Sequence, residues 1–252
     1  MMVRKSLLLL LVFLLTVTGT AGANPDPVQA PLLIHDLSGK MPGDMYGVLV
    51  AKTNILFSQI NAYWSPVGTA TTAEPIVVEF ARQTHNTPSS FFFFRNENGA
   101  RVKVVRVFGG GTMPHHLAHK LTSALFPHGD KLIRNMMGEF SEREFGNPLS
   151  FPQCGASADE WVAALIQTGD YVSLAKIGTS HADWGMEVIN NTPVVNDRKK
   201  QHIRYAEAGS LGYFLINSFG PRKMLEFYQR ATLSHRPWQE VYGYPLAELE
   251  QR

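Results

Sequence analysis

Cysteine is nearly absent from the sequence, in which Cys154 is the only one. A single cysteine excludes an internal disulfide, so apolar burial and polar contacts must hold the fold together. No histidine and asparagine pattern accompanies Cys154, so we expect a buried, unreactive thiol there and no nucleophile.

Long apolar runs are also absent, apart from one at the N-terminus. Residues 7–15 consist only of Leu, Val and Phe, follow a short basic stretch and precede an A-x-A pattern that ends at Ala23. This order is typical of a cleaved secretory signal peptide, and the run is shorter than the roughly 20 residues that span a bilayer. We therefore expect residues 1–23 to be a signal peptide, the protein to be exported (periplasmic or secreted), and the mature chain to have no stable membrane span.

An excess of charge of either sign is lacking as well. The chain has 23 Lys and Arg and 21 Asp and Glu, and two of the basic residues, Arg4 and Lys5, lie in the predicted signal peptide, so the mature chain has 21 of each. A neutral chain argues against a basic nucleic-acid-binding surface. We expect no nucleic-acid partner.

The first part of the mature chain predicts a sheet with one helix. Residues 24–44, rich in Pro, Gly and Asp, predict an extended lead-in. Residues 45–64 carry apolar residues at helical intervals, which predicts a helix. Three stretches rich in β-branched and aromatic residues, separated by turn-like clusters, predict the strands of a mostly antiparallel sheet. These stretches are 74–82, 89–96 and 100–110.

Helical patterns dominate the rest of the chain, after the predicted strands. The predicted helices are 113–126, 131–142, 157–167, 203–218 and 220–232, with longer connections at 145–157 and 181–197. A sheet followed by helices is an α+β layout. We predict one domain over residues 45–252, with a sheet lobe at 45–111 and a helical lobe at 112–252.

Histidine is concentrated in the predicted helix 113–126. His115 and His119 stand four residues apart, a spacing that places two imidazoles on one helix face, where they can bind one metal ion. Glu139 in the next predicted helix would be a third ligand if the two helices packed antiparallel. Two histidines and a glutamate with an open fourth position form the ligand set of a catalytic zinc site.

Other arrangements of these residues stay open. Glu142, Glu144 and Glu187 are alternative third ligands. His116 and His119 stand three apart and could also share a helix face. A histidine-rich helix that binds no metal is the simplest alternative.

These residues resemble the gluzincin (thermolysin-like) metallopeptidases. The resemblance is carried by "MPHHLAHKLTSAL", the acidic helix after it and "YAEAGSLGYFLINSFGPRKMLEFY", which ends at residue 228. It implies a zincin-like fold and one zinc ion bound by His115, His119 and Glu139. It also implies a role for Tyr205 in stabilising an oxyanion. The alternative for Tyr205 is an aromatic ring packed at a helix start.

The sequence departs from the family at one position. The family helix reads H-E-x-x-H, and its glutamate activates the zinc-bound water. This chain has His116 there. An imidazole that accepted a proton at this position would become a cation beside a dication, which Coulomb repulsion opposes. We therefore expect peptide hydrolysis by the usual mechanism to be crippled.

Three functions are consistent with these patterns. The first is an exported gluzincin-fold protein with impaired or lost peptidase activity, which retains a zinc site and binds a peptide or a cell-envelope partner. The second is an active zinc peptidase with an unorthodox general base, either His116 or a nearby glutamate. The third is a structural or interaction module without metal.

Overall fold

The chain combines a small sheet with several helices, which confirms the α+β class. The computed structural model describes the following residues: 32–39, 41–64, 74–82, 88–108, 114–190 and 192–252. The predicted signal peptide, residues 1–23, lies outside these ranges. Among the described residues, no helix has the length and apolar character needed to cross a membrane.

A four-stranded sheet in the order β1-β2-β4-β3 occupies the N-terminal part. Its strands are β1 (Leu32–Asp36), β2 (Ile76–Ala81), β3 (Ser90–Glu97) and β4 (Ala100–Phe108). β1 is parallel to β2 and β2 is parallel to β4, whereas β3 and β4 are antiparallel. The prediction of a mostly antiparallel sheet is therefore wrong.

The connection between β1 and β2 explains the parallel pairing. The predicted helix 45–64 is confirmed as α1 (Gly43–Trp64), and it crosses from the end of β1 to the start of β2. A helical crossover returns the chain to the same end of a sheet, which makes the two strands parallel. β1 lies within the predicted extended lead-in, so that segment also contributes to the sheet.

Helices follow the sheet in the chain. They are α2 (Leu117–Leu125), α3 (Lys131–Phe145), α4 (Ala158–Thr168), α5 (Arg198–Arg230), α6 (Trp238–Tyr242) and α7 (Leu246–Gln251). α5 comprises the two helices predicted at 203–218 and 220–232, which meet at a kink where Gly220 has φ 83. The connection predicted at 181–197 contains a hairpin of β5 (Met186–Ile189) and β6 (Thr192–Val195).

The core lies between one face of the sheet and the helices. Buried side chains of β2 and β4 pack with those of α1, α2, α3 and α5 in a single apolar cluster. All nine residues of α2 are buried. Polar side chains on α2 are therefore withdrawn from water and must find partners inside the protein. Cys154, predicted to be buried, is exposed in the connection after α3.

Candidate functional site

The start of α2 determines how the histidines are arranged. α2 begins at Leu117, and His116 before it adopts a left-handed conformation with φ 60 and ψ 22. Such a conformation is uncommon for a residue other than glycine, and it stops the helical repeat at this point. His115 lies in the preceding turn and is exposed. The predicted helix 113–126 thus starts too early, and His115 and His119 do not share a helix face.

A carboxylate from α3 caps α2. Glu142 accepts a hydrogen bond from the His116 N–H at 2.9 Å and from the His119 N–H at 3.1 Å. The first N–H groups of a helix have no partner within the helix, and a negative charge there also interacts favourably with the helix dipole. Glu142 supplies what α2 lacks locally, because His116 makes no side-chain capping bond.

The same carboxylate fixes the connection after α3. Its Oε1 accepts hydrogen bonds from the Asn147 N–H at 3.1 Å and the Ser150 hydroxyl at 2.6 Å. Burial raises the pKa of Glu142, although these hydrogen bonds oppose the rise. With four donors around it, Glu142 joins α2, α3 and the following connection.

His119 and Glu139 form the centre of the site. The His119 Nδ1 and the Glu139 Oε1 are 2.9 Å apart, and both side chains are completely buried. These two atoms are not aligned for a hydrogen bond with each other. Neither of them has a hydrogen-bond partner elsewhere in the described part of the chain. The second nitrogen of His119 lies 3.1 Å from the Asn135 Oδ1, and the Gln153 amide donates to Glu139 at 2.9 Å.

Burial favours the uncharged form of both groups of this pair. It lowers the pKa of His119 well below its usual value, and the positive charge of Lys120 lowers it further. Burial raises the pKa of Glu139 well above its usual value. The hydrogen bond from Gln153 and the charge of Lys120 oppose this rise. The His119 ring reaches α3 because Gly138 lies beneath it, where a Cβ would overlap the imidazole.

The His116 ring is also fully engaged. Its Nε2 contacts the Phe151 carbonyl, and its Nδ1 lies 3.2 Å from the Ser89 hydroxyl. A carbonyl only accepts, so Nε2 carries the proton and Nδ1 accepts from Ser89. Burial lowers the pKa of His116 to about 3, with a further contribution from Lys120. His116 is therefore a neutral residue with both nitrogens occupied.

Tyr205 on α5 lies beside both histidine rings. Its ring is nearly parallel to that of His116, at 3° and 6.4 Å between centroids, and lies 6.0 Å from that of His119. Burial raises the pKa of Tyr205, and the charge of Glu139 adds to the rise, so its hydroxyl stays protonated. The predicted oxyanion-stabilising residue thus lies beside His116 and His119.

The predicted metal ligands are only partly brought together. His119 and Glu139 are adjacent, and the ring of His116, not His115, lies 5.6 Å from that of His119. Within the described ranges there is no group of three His, Cys, Asp or Glu side chains that could hold a metal ion. Glu187 lies exposed on β5.

Glu144, the remaining alternative ligand, is exposed and has a different partner. It accepts a hydrogen bond from the Tyr213 hydroxyl.

Two neighbouring cavities that share lining residues lie over this site. A cleft of about 240 Å³ opens where β3 begins, and a recess of about 60 Å³ adjoins it. Both are lined by Pro88, Ser90, Lys120 and Tyr205. A larger cleft of about 500 Å³ between α4, α5 and α7 has no histidine among its described lining residues. We call the 240 Å³ cavity the histidine cleft.

Several residues of the site escaped prediction from the sequence. Lys120 could have been found, since it follows His119 and is the only Lys, Arg, Asp or Glu in α2. Ser89, Asn135, Phe151 and Gln153 contact the two histidines or Glu139 from other segments, and nothing in their local sequence marks them.

Comparison with family models, curated proteins and solved structures gives no match to this chain. The functional assignment therefore depends on the chemistry of the site.

Proposed function

We propose that the protein is an exported, non-catalytic relative of the gluzincin metallopeptidases that binds an extended polypeptide in the histidine cleft. The observation that carries this proposal is the state of His116. The residue at the general-base position is buried and neutral, and both its ring nitrogens have partners. A general base needs a free lone pair within reach of the proton that it abstracts.

The nearby carboxylates do not replace it. Glu142 accepts four hydrogen bonds from the donors around it, so its lone pairs are already engaged. Burial raises the pKa of Glu139 well above the usual range, which favours its protonated form, whereas a general base must be ionised. Both observations favour a binding function over an active peptidase with an unorthodox base.

Zinc, which the resemblance implies, fits the site only in part. The unpartnered Nδ1 of His119 and Oε1 of Glu139 are suitable donors. A catalytic zinc site has three protein ligands, and His115 is exposed in the turn before α2. The charges of Lys120 and Arg134, which lower the pKa of His119, would also oppose a dication. The described residues therefore do not make up the expected ligand set.

The edge of the sheet favours a polypeptide as the ligand. Among the described strands, β3 pairs only with β4. The Phe108 N–H donates to the Ser89 carbonyl, so the alternate residues Ser90 and Phe92 direct their backbone groups away from β4. An extended peptide can add to such an edge through main-chain hydrogen bonds. The histidine cleft lies at the start of this strand and would receive a side chain.

Phe92→Pro tests strand addition, with Phe92→Ala as its matched control. Both substitutions remove the ring, but only proline removes the outward N–H. We expect a mixture of fluorescent unstructured peptides to bind the chain without residues 1–23, and Phe92→Pro to weaken binding at least about tenfold relative to Phe92→Ala. Fluorescence anisotropy measures the affinity, and circular dichroism checks the fold of both variants.

Peptidase and metal measurements on the same preparation test the rest of the proposal. We expect no peptide cleavage by the native chain or by His116→Glu. Cleavage by the native chain that is lost in His116→Ala, together with one zinc per chain that is lost in His115→Ala, would overturn the non-catalytic assignment. Equal peptide affinities of the two Phe92 variants would overturn strand addition.

A further inference from the structure

We infer that the 60 Å³ recess beside the histidine cleft is an anion site that receives a carboxylate of the bound polypeptide. The identity of the ligand rests on the proposed function, whereas the site itself rests on three cations. Lys120, Lys131 and Arg134 all line the recess. No other cavity described above has three cationic side chains in its lining.

Two helices bring these cations together. Lys120 lies on the fully buried α2, and Lys131 and Arg134 lie on the first turns of α3. The two lysines are only 7% and 5% exposed. The recess holds about 60 Å³, and a water molecule occupies about 30 Å³ in the liquid, so the space suits a group of the size of a carboxylate.

The recess contains no carboxylate of its own among its described lining residues. Lys120, Lys131 and Arg134 take part in none of the ion pairs of the described residues. In the rest of the sequence, Asp26 is the only acidic residue. A cation withdrawn from water without a paired anion is costly, and burial together with the neighbouring positive charges lowers the pKa of Lys120 and of Lys131 to about 7. An anionic ligand would supply the missing negative charge and favour the protonated form of both lysines.

Four carboxylates act on these cations, and each is held elsewhere. Glu139 lies against the His119 ring and accepts from the Gln153 amide at 2.9 Å. Asp130 caps α3 and accepts two hydrogen bonds from Arg236, at 2.6 and 3.1 Å. Asp183 accepts hydrogen bonds from the backbone and hydroxyl of Ser180. Glu142 has its four donors at the start of α2. None of them is free to move into the recess without leaving its donors unpaired.

The start of the edge strand forms part of the lining of the recess. Ser90 is the first residue of β3 and lines both the recess and the histidine cleft. A peptide added along β3 would therefore lie with one side chain, or its C-terminus, at the mouth of the recess. The Tyr205 ring and the Asn135 amide line the same space and add polar groups around a carboxylate.

Paired peptides test this inference. One pair is identical except for Glu or Gln at a central position, and a second pair ends in a free carboxylate or an amide. We expect the native chain to bind the acidic member of at least one pair about tenfold more tightly, and the pair concerned identifies the carboxylate. This preference should fall below about threefold in Lys131→Met and in Arg134→Gln. It should stay unchanged in Lys176→Met, which removes an exposed lysine outside the recess.

Inorganic phosphate separates the anion site from peptide binding. We expect millimolar phosphate to raise the melting temperature of the native chain and of Lys176→Met, and to have less effect on Lys131→Met. Peptide binding without any preference for a carboxylate, and without a phosphate effect, would overturn the anion site and leave the proposed function standing. A phosphate effect that depends on Lys131, with no peptide binding, would support the anion site and contradict the proposed function.

Discussion

At the scale of single residues, Glu142 has the clearest structural role. It is completely buried, yet each of its oxygens accepts from the first N–H groups of α2, and Oε1 also binds the connection that follows α3. The left-handed His116 leaves α2 without a local cap, so a distant side chain takes this role. The position of both histidine rings thus depends on one carboxylate.

Glu142→Ala should lower the free energy of unfolding by about 3 kcal/mol or more. The substitution leaves several buried donors without a partner, and each costs about 1–3 kcal/mol. Glu142→Gln keeps one acceptor oxygen and should lose less. Urea unfolding followed by circular dichroism measures both, with the exposed Glu187→Ala as the control. A loss in Glu142→Ala no larger than in the control would contradict the capping role.

At the scale of elements, glycines on α5 set how closely the helices approach. A Cβ on Gly212 would lie 2.7 Å from the Met136 carbonyl oxygen, so the backbones of α5 and α3 are in direct contact there. A Cβ on Gly209 would lie 3.2 Å from the Ala158 Cβ and 3.4 Å from that of Glu139. This close packing holds Tyr205, on the same helix, against the two histidines.

Gly212→Ala should destabilise the protein by about 2 kcal/mol. Alanine gains about 1 kcal/mol of helix propensity over glycine, but the methyl group forces the helices apart, and such overpacking costs about 1–3 kcal/mol or more when a backbone must move. In Gly209→Ala the two effects should nearly cancel, because the contacts there are with side chains. Thermal or urea unfolding compares the two, and equal stabilities would contradict a backbone contact at Gly212.

At the scale of the whole molecule, the charge balance bears on the kind of ligand. The predicted mature chain has equal numbers of acidic and basic residues, so the cationic recess is a local feature and not part of a basic surface. A locally cationic site on a neutral protein selects an acidic group without attracting nucleic acid in general. The proposed peptide ligand would be met after export, outside the cytoplasm.

Expression of the full chain in a bacterial host tests the export prediction. We expect the protein to accumulate outside the cytoplasm with Asn24 as its first residue, because an A-x-A pattern precedes that position. N-terminal sequencing or intact-mass measurement identifies the start of the chain. Replacing Ala21 and Ala23 with larger residues should block processing. A cytoplasmic product that keeps residues 1–23 would contradict the prediction.

Local patterns in the sequence predict most of the longer elements and one half of the site. Apolar periodicity located α1, and stretches rich in β-branched and aromatic residues, separated by turn residues, located β2, β3 and β4. The spacing of the histidine segment and the next acidic helix pointed to His119 and Glu139, which are in contact. These features are local or joined by a short turn, so periodicity and spacing are sufficient to predict them.

The rest of the site is set by contacts between segments that are far apart in the chain. The left-handed backbone conformation of His116 places His115 outside the helix. The acceptor of the His116 N–H, Glu142, lies 26 residues further along the chain. The parallel pairing of β1, the Ser89 and Phe151 contacts to His116 and the gathering of three cations also depend on long-range packing. Periodicity indicates which face of a helix or strand is buried. It does not indicate which residues pack against that face, because those residues come from distant segments that are brought together only when the whole chain folds.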